Sequence, residues 1–276
     1  MIDVNKVLKA QTFLEGAGVK VNRAFDFQTR YETDPFLLLD FFGSDKKEEF
    51  VKGFPWHPHR GFETITYMLK GKVEHSDNKG HGGVIGPGDV QWMTAGKGII
   101  HQEMATADST ELLGIQLWLN LPQELKMIDP KYRPVSSEEI PMVETNSARV
   151  KVIAGRFRKA TGAVANTTVP VDMFDVKLWP DAIFDEALNP DFRYLMFVYE
   201  GLVAIPGYKD NIDALSGVIL NQGTVFQVKA GESGAKFLLF GGTPYNEPIA
   251  WHGPIVMNTP EELSAAFDEI DKGTFA

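Results

Sequence analysis

Five of the six histidines fall between positions 57 and 103, and three of them, with two glutamates, sit at spacings that suit metal ligation. His57 and His59 are one residue apart, as are His101 and Glu103. On an extended strand side chains alternate faces, so each pair presents two donors to the same side. Two such strands set together would gather three imidazoles and a carboxylate at one point. That is the donor set of an open transition-metal site carried on sheet rather than helix. Glu63 follows His57 by six residues and shares its face if the strand runs straight. Glu63 and Glu103 therefore compete for the fourth position. The glutamate left over is a candidate to accept an imidazole N–H and fix its tautomer. Either is a candidate general base. The plain alternative for Glu63 is a salt bridge with Arg60.

The elements that must position these groups read as strands. Thr64 to Val73 alternates, with Ile65, Tyr67 and Leu69 on one face. Turns follow at Asp77-Asn78-Lys79-Gly80 and Gly86-Pro87-Gly88-Asp89, then further strands at Val90 to Met93 and Leu112 to Leu119. His75 and His81 lie in this turn-rich sequence and are expected at the surface. Gly96-Lys97-Gly98 supplies backbone freedom to aim His101 inward. Trp56, Phe62, Trp92 and Met104 are candidates for an apolar pocket wall, with core packing as the default. Short strands between Gly/Pro turns point to a sandwich or jelly-roll barrel.

Leu121 to Val143, interrupted by Pro122, Pro130, Pro134 and Pro141, reads as a partly helical connection between domains. This sets a metal-binding domain over 1–134 and a second domain without a metal site over 135–276. Strands resume from Ser147, through Val150 to Gly155 and on to Phe240. Thr259, Pro260 and Glu262 then open a helix by N-cap, first-turn proline and capping box, and it runs to Gly273. Tyr67–Val73 resembles Phe197–Val203, and Pro87–Val90 resembles Gln222–Val225. This faint repeat puts Ala187, Asn189, Lys236 and Leu238 where the first half has His57, His59, His101 and Glu103.

A net charge of -10 and the lack of a Lys/Arg cluster argue against direct nucleic-acid binding. With no cysteine, disulfides, thiolate ligands and a Cys nucleophile are excluded. No apolar run reaches membrane-spanning length, and a cytoplasmic location is expected.

Four phrases carry a family resemblance: His57-Pro58-His59-Arg60-Gly61-Phe62-Glu63-Thr64, Pro87 through Gly96, Gly98-Ile99-Ile100-His101-Gln102-Glu103, and His252 through Asn258. In that order, across most of the chain, they resemble the pirin family of the cupin superfamily. The resemblance implies an all-β protein of two tandem jelly-roll (cupin) β-barrel domains, here with a short C-terminal helix. It implies a single iron in the first barrel, with His57, His59, His101 and Glu103 as ligands and Glu63 beside them. Fe(II) is the expected metal, although the donors also suit Mn, Co, Ni, Cu and Zn. Two roles follow from the family: ring-opening oxidation of a flavonol such as quercetin by dioxygen with loss of carbon monoxide, or non-enzymatic, metal- or redox-dependent regulation through a protein partner. The dioxygenase is the favoured expectation.

Overall fold

The computed structural model describes residues 1–276 and is built almost wholly of strands, with one α-helix, Pro260–Asp271, near the end. It resolves into two compact units. One comprises Met1–Gln11, Tyr31–Pro35 and Glu138–Pro244; the other comprises Thr12–Arg30, Phe36–Ser137 and Tyr245–Ala276. The units are thus not the consecutive halves 1–134 and 135–276. The reason lies in edge pairing that local pattern does not reveal. Val4–Lys9 adds antiparallel to Ser216–Leu220, placing the N-terminus in the later sheet. The C-terminal helix seals an apolar cluster of Ile255, Met257, Ala266 and Phe275 with Ile100 in the earlier unit.

The unit holding the histidines has a seven-stranded sheet in the spatial order Lys131–Val135, Val90–Thr94, Phe62–Lys70, Leu112–Asn120, Phe36–Ser44, Val19–Phe25 and Gln11–Glu15. A four-stranded sheet runs Phe54–His59, Ile99–Ala105, Val73–Asp77 and Gly82–Ile85. Val19, Val21, Phe42 and Met68 from the first sheet meet Val73 and Ile85 from the second in one core cluster. The stretch expected to be a connection contributes Lys131–Val135 as an edge strand on Val90–Thr94. Pro134 is tolerated there because an edge strand need not donate on its outer side.

The other unit carries a nine-stranded sheet around a large apolar cluster that includes Phe157, Phe174, Phe184, Phe226 and Phe237. Its strand Ile183–Ala187 pairs with the start of Val225–Gly242, as Phe54–His59 pairs with Ile99–Ala105. The repeat is real in architecture, but its register differs from the sequence match. Pairing places Ala187 opposite Val225, so it does not face Lys236 as His57 faces His101. Lys236 and Leu238 lie further along the same strand, against Lys177 and Asp175.

The helix begins as expected. Thr259 accepts from the Glu262 N–H, and the Glu262 side chain returns to the Thr259 N–H.

Candidate metal centre

His57 and His59 project from one strand and His101 stands directly opposite His57 on its antiparallel neighbour. Strand parity and register thus bring the three imidazoles together. Ring centroids are 4.7 Å apart for His57–His59, 4.3 Å for His57–His101 and 4.9 Å for His59–His101. One donor nitrogen of each lies within 4.8 Å of the others. A register shift between His101 and Glu103 sets Glu103 across from Phe54, and its carboxylate groups with His75 and His101 rather than with all three imidazoles.

Each ring is held through Nδ1. That of His57 faces the Pro55 carbonyl at 2.8 Å, that of His59 the Pro254 carbonyl at 3.4 Å, and that of His101 the Nδ1 of His75 at 3.4 Å. Carbonyl oxygens only accept, so His57 and His59 carry their protons on Nδ1 and keep Nε2 as a free donor. The Nε2 of His101 is buried and meets no protein partner. A buried lone pair without a donor is costly in an apolar setting, and one that sits beside two further imidazoles fits a cation. Burial holds His57 below the usual imidazole range and His59 and His101 well below it, so all three favour the neutral, ligating form.

Glu103 accepts from Thr66 Oγ1 at 3.2 Å and Gln91 Nε2 at 2.8 Å, both on Oε1, which leaves Oε2 for a further partner. Burial pushes its pKa up to about 7 against the lowering effect of those two bonds. Glu63 is placed differently from either expectation. Gly61, at φ +87°, ends the histidine strand, and a Cβ there would stand 1.8 Å from the Val256 carbonyl. The chain turns into the other sheet, where Glu63 pairs with Thr94. Fully buried, its carboxylate accepts from Trp92 Nε1 at 2.9 Å and Thr94 Oγ1 at 2.6 Å, not from an imidazole. Arg60 bonds instead to Glu269, at 2.6 Å.

A cavity of about 670 Å³ opens on the centre, with His57, His59 and Glu103 in its wall. Phe27, Leu38, Phe54, Trp118 and Trp251 give it apolar sides, and Arg23, paired twice with Asp40, lies on its lining. Sequence reasoning missed Trp118 and Trp251. Trp118 shares strand parity with Gln116, another lining residue, and that was the available signal. Of the aromatics expected in the wall, Trp56 is exposed, Phe62 packs against His59 and Trp118, and Trp92 serves Glu63.

His81 is exposed as expected, but His75 is 1% exposed. Its strand buries Val73, His75 and Asp77 on one face, a parity visible in the sequence and hidden by the turn that follows.

The Pirin family model matches residues 18–119 and that of the Pirin C-terminal cupin domain residues 173–276. A pirin-like protein of Caulobacter vibrioides is 44% identical over 274 residues, covering 99% of this chain and 98% of its own. Pirin of Homo sapiens is 38% identical over 256 residues, covering 91% of this chain and 86% of its own. Among solved structures, a quercetin 2,3-dioxygenase from Acinetobacter baumannii superposes with a TM-score of 0.91 at 33% identity, covering 100% of this chain and 99% of that one. Two family models in chain order and relatives matched end to end lead to one conclusion: this chain belongs to the pirin family.

Proposed function

We propose that this protein is an iron-dependent dioxygenase that opens the central ring of a flavonol such as quercetin with dioxygen, releasing carbon monoxide. The observation that carries the reading is the convergence of three imidazoles, with the Nε2 of His101 buried and unpartnered, beside an aromatic-lined cavity. His57, His59 and His101 would hold the metal, with Glu103 completing the set through Oε2. Three neutral imidazoles and one carboxylate suit Fe(II), and also Mn, Co, Ni, Cu and Zn. When bound, the metal supplies Lewis acidity that lowers the pKa of the flavonol hydroxyl and orients the resulting anion.

The remaining work falls to the chain. Trp118 and Trp251, with ring centroids 5.9 Å apart, offer flat walls to a planar aromatic substrate. Glu103 is the carboxylate placed to take the hydroxyl proton, and Thr66 and Gln91 hold it in place. The apolar sides limit water around the reacting anion. A chain without cysteine is compatible with a reducing cytoplasm.

The test is anaerobic reloading with Fe(II), followed by flavonol absorbance and carbon monoxide release in air. The His59→Ala variant should stay folded and lose both metal and turnover. Metal-loaded wild type that turns over no flavonol with any divalent metal would overturn the enzymatic reading in favour of partner regulation.

A further inference from the structure

Backbone carbonyls fix the tautomers of His57 and His59, but His101 faces another imidazole, which can donate or accept. Its tautomer must therefore be decided one step further out. His75 Nε2 lies 3.5 Å from Asp77 Oδ2, and that oxygen also accepts from His81 Nδ1 at 2.9 Å. The other oxygen, Oδ1, accepts from the backbone N–H groups of Lys79 and His81, both at 2.9 Å. A carboxylate held by such donors only accepts.

Polarity then propagates inward without a free choice. Asp77 requires the proton of His75 on Nε2. That leaves His75 Nδ1 as an acceptor, so the His101 proton must sit on Nδ1. The lone pair on His101 Nε2 follows. The reverse polarity would point a His75 lone pair at a carboxylate and place a proton on the buried Nε2 that has no acceptor. Tyr132, stacked on His75 at 4.5 Å and nearly parallel, holds the intermediate ring in plane.

We propose that Asp77 and His75 are positioning residues that set the tautomer of His101, keeping its Nε2 free to bind the metal. This rests on the reading of the three imidazoles as a metal centre, but the relay itself exists in the metal-free protein and is testable there.

The experiment uses metal-free protein labelled with ¹⁵N at histidine. Two-bond ¹H–¹⁵N correlation spectra report which ring nitrogen carries the proton. Wild type should show His101 protonated on Nδ1. In Asp77→Asn the side-chain oxygen can keep both backbone donors while the amide N–H faces His75 Nε2. The relay should reverse and move the His101 proton to Nε2. Competition with a chelator should then show Fe(II) or Co(II) affinity lowered on the order of 10- to 100-fold, the usual effect of losing a ligand's outer partner. His75→Phe, which keeps an aromatic ring against Tyr132, should lower affinity comparably by removing the acceptor. Wild-type His101 protonated on Nε2 would overturn the proposal. So would an Asp77→Asn protein that keeps the wild-type tautomer and an affinity within twofold. A protein with the expected tautomers that binds no metal would support the relay and overturn the metal centre instead.

Discussion

The carbonyl oxygen of Pro254 accepts from the ring of His59 at 3.4 Å, across 195 positions of sequence. A candidate ligand is thus oriented by the segment that closes the chain. Arg60, next in sequence, pairs in parallel with Ile255, and its carbonyl accepts from the Val256 N–H at 3.0 Å. Its guanidinium reaches Glu269 at 2.6 Å, the Lys97 carbonyl at 2.6 Å and the Phe275 carbonyl at 3.0 Å.

Arg60→Leu is therefore expected to do two things. Carbonyls of Lys97 and Phe275 lose a buried donor, which costs about 2 kcal/mol, discounted because Glu269 is half in solvent. Loosening the terminal segment should also weaken metal binding several-fold through His59. Urea denaturation and chelator competition measure the two effects separately. Unchanged affinity in a destabilised variant would show that the segment supports the fold without positioning the ligand.

Acid release of the metal is the second expectation. Only the neutral imidazole ligates, so protons compete below its pKa. Burial lowers that value for His57, His59 and His101. The metal should therefore stay bound as pH falls through about 6.5, the ordinary imidazole value, and leave only under more acidic conditions. Metal content after gel filtration at stepped pH reads this directly, and half-release at or above about pH 6.5 contradicts it.

Glu103 titrates in the opposite sense. Its folded pKa of about 7 lies above its ordinary 4.5, so the folded protein keeps a proton that the unfolded chain releases. The stabilising contribution is whole below pH 4.5 and is lost as pH rises through 7. Above that, a buried charge burdens the metal-free protein by on the order of 3 kcal/mol. Glu103→Gln should therefore stabilise metal-free protein by up to that amount near pH 8 and scarcely at all near pH 4, while binding metal more weakly. Denaturant midpoints of both proteins at the two pH values decide it. A pH-independent difference would mean the carboxylate is not the burdened group.

The legible part of the centre was what strand parity and pairing dictate. His57 and His59 are donors at period two, and apposition of their strand with that of His101 did the rest. Two misreadings share one cause, the point where a strand stops. Straight continuation through Gly61 put Glu63 on the histidine face, whereas a left-handed glycine there sends it to the other sheet. The strand expected through Val73 stops at Lys70, and a second strand, Val73–Asp77, follows the turn at Gly71 and buries His75 where the sequence suggested solvent. The grouping of the terminal segments was not legible, because the helix start is a local signal of type and neither it nor Val4–Lys9 carries one of partner.

Glu63 supplies the last expectation, because its two acceptor oxygens face donors of different kinds. Trp92 Nε1 can only donate, whereas the Thr94 hydroxyl can turn to accept. Glu63→Gln can place its oxygen on Trp92 and its amide on Thr94, so it should lose no more than about 1 kcal/mol. Glu63→Leu strands the Trp92 N–H in a fully buried site and should lose about 2 kcal/mol or more. Both variants should keep the wild-type metal content, since the carboxylate contacts no imidazole. Metal analysis beside thermal denaturation separates the outcomes. Loss of metal in the well-folded Gln variant would put Glu63 back among the ligands and displace Glu103.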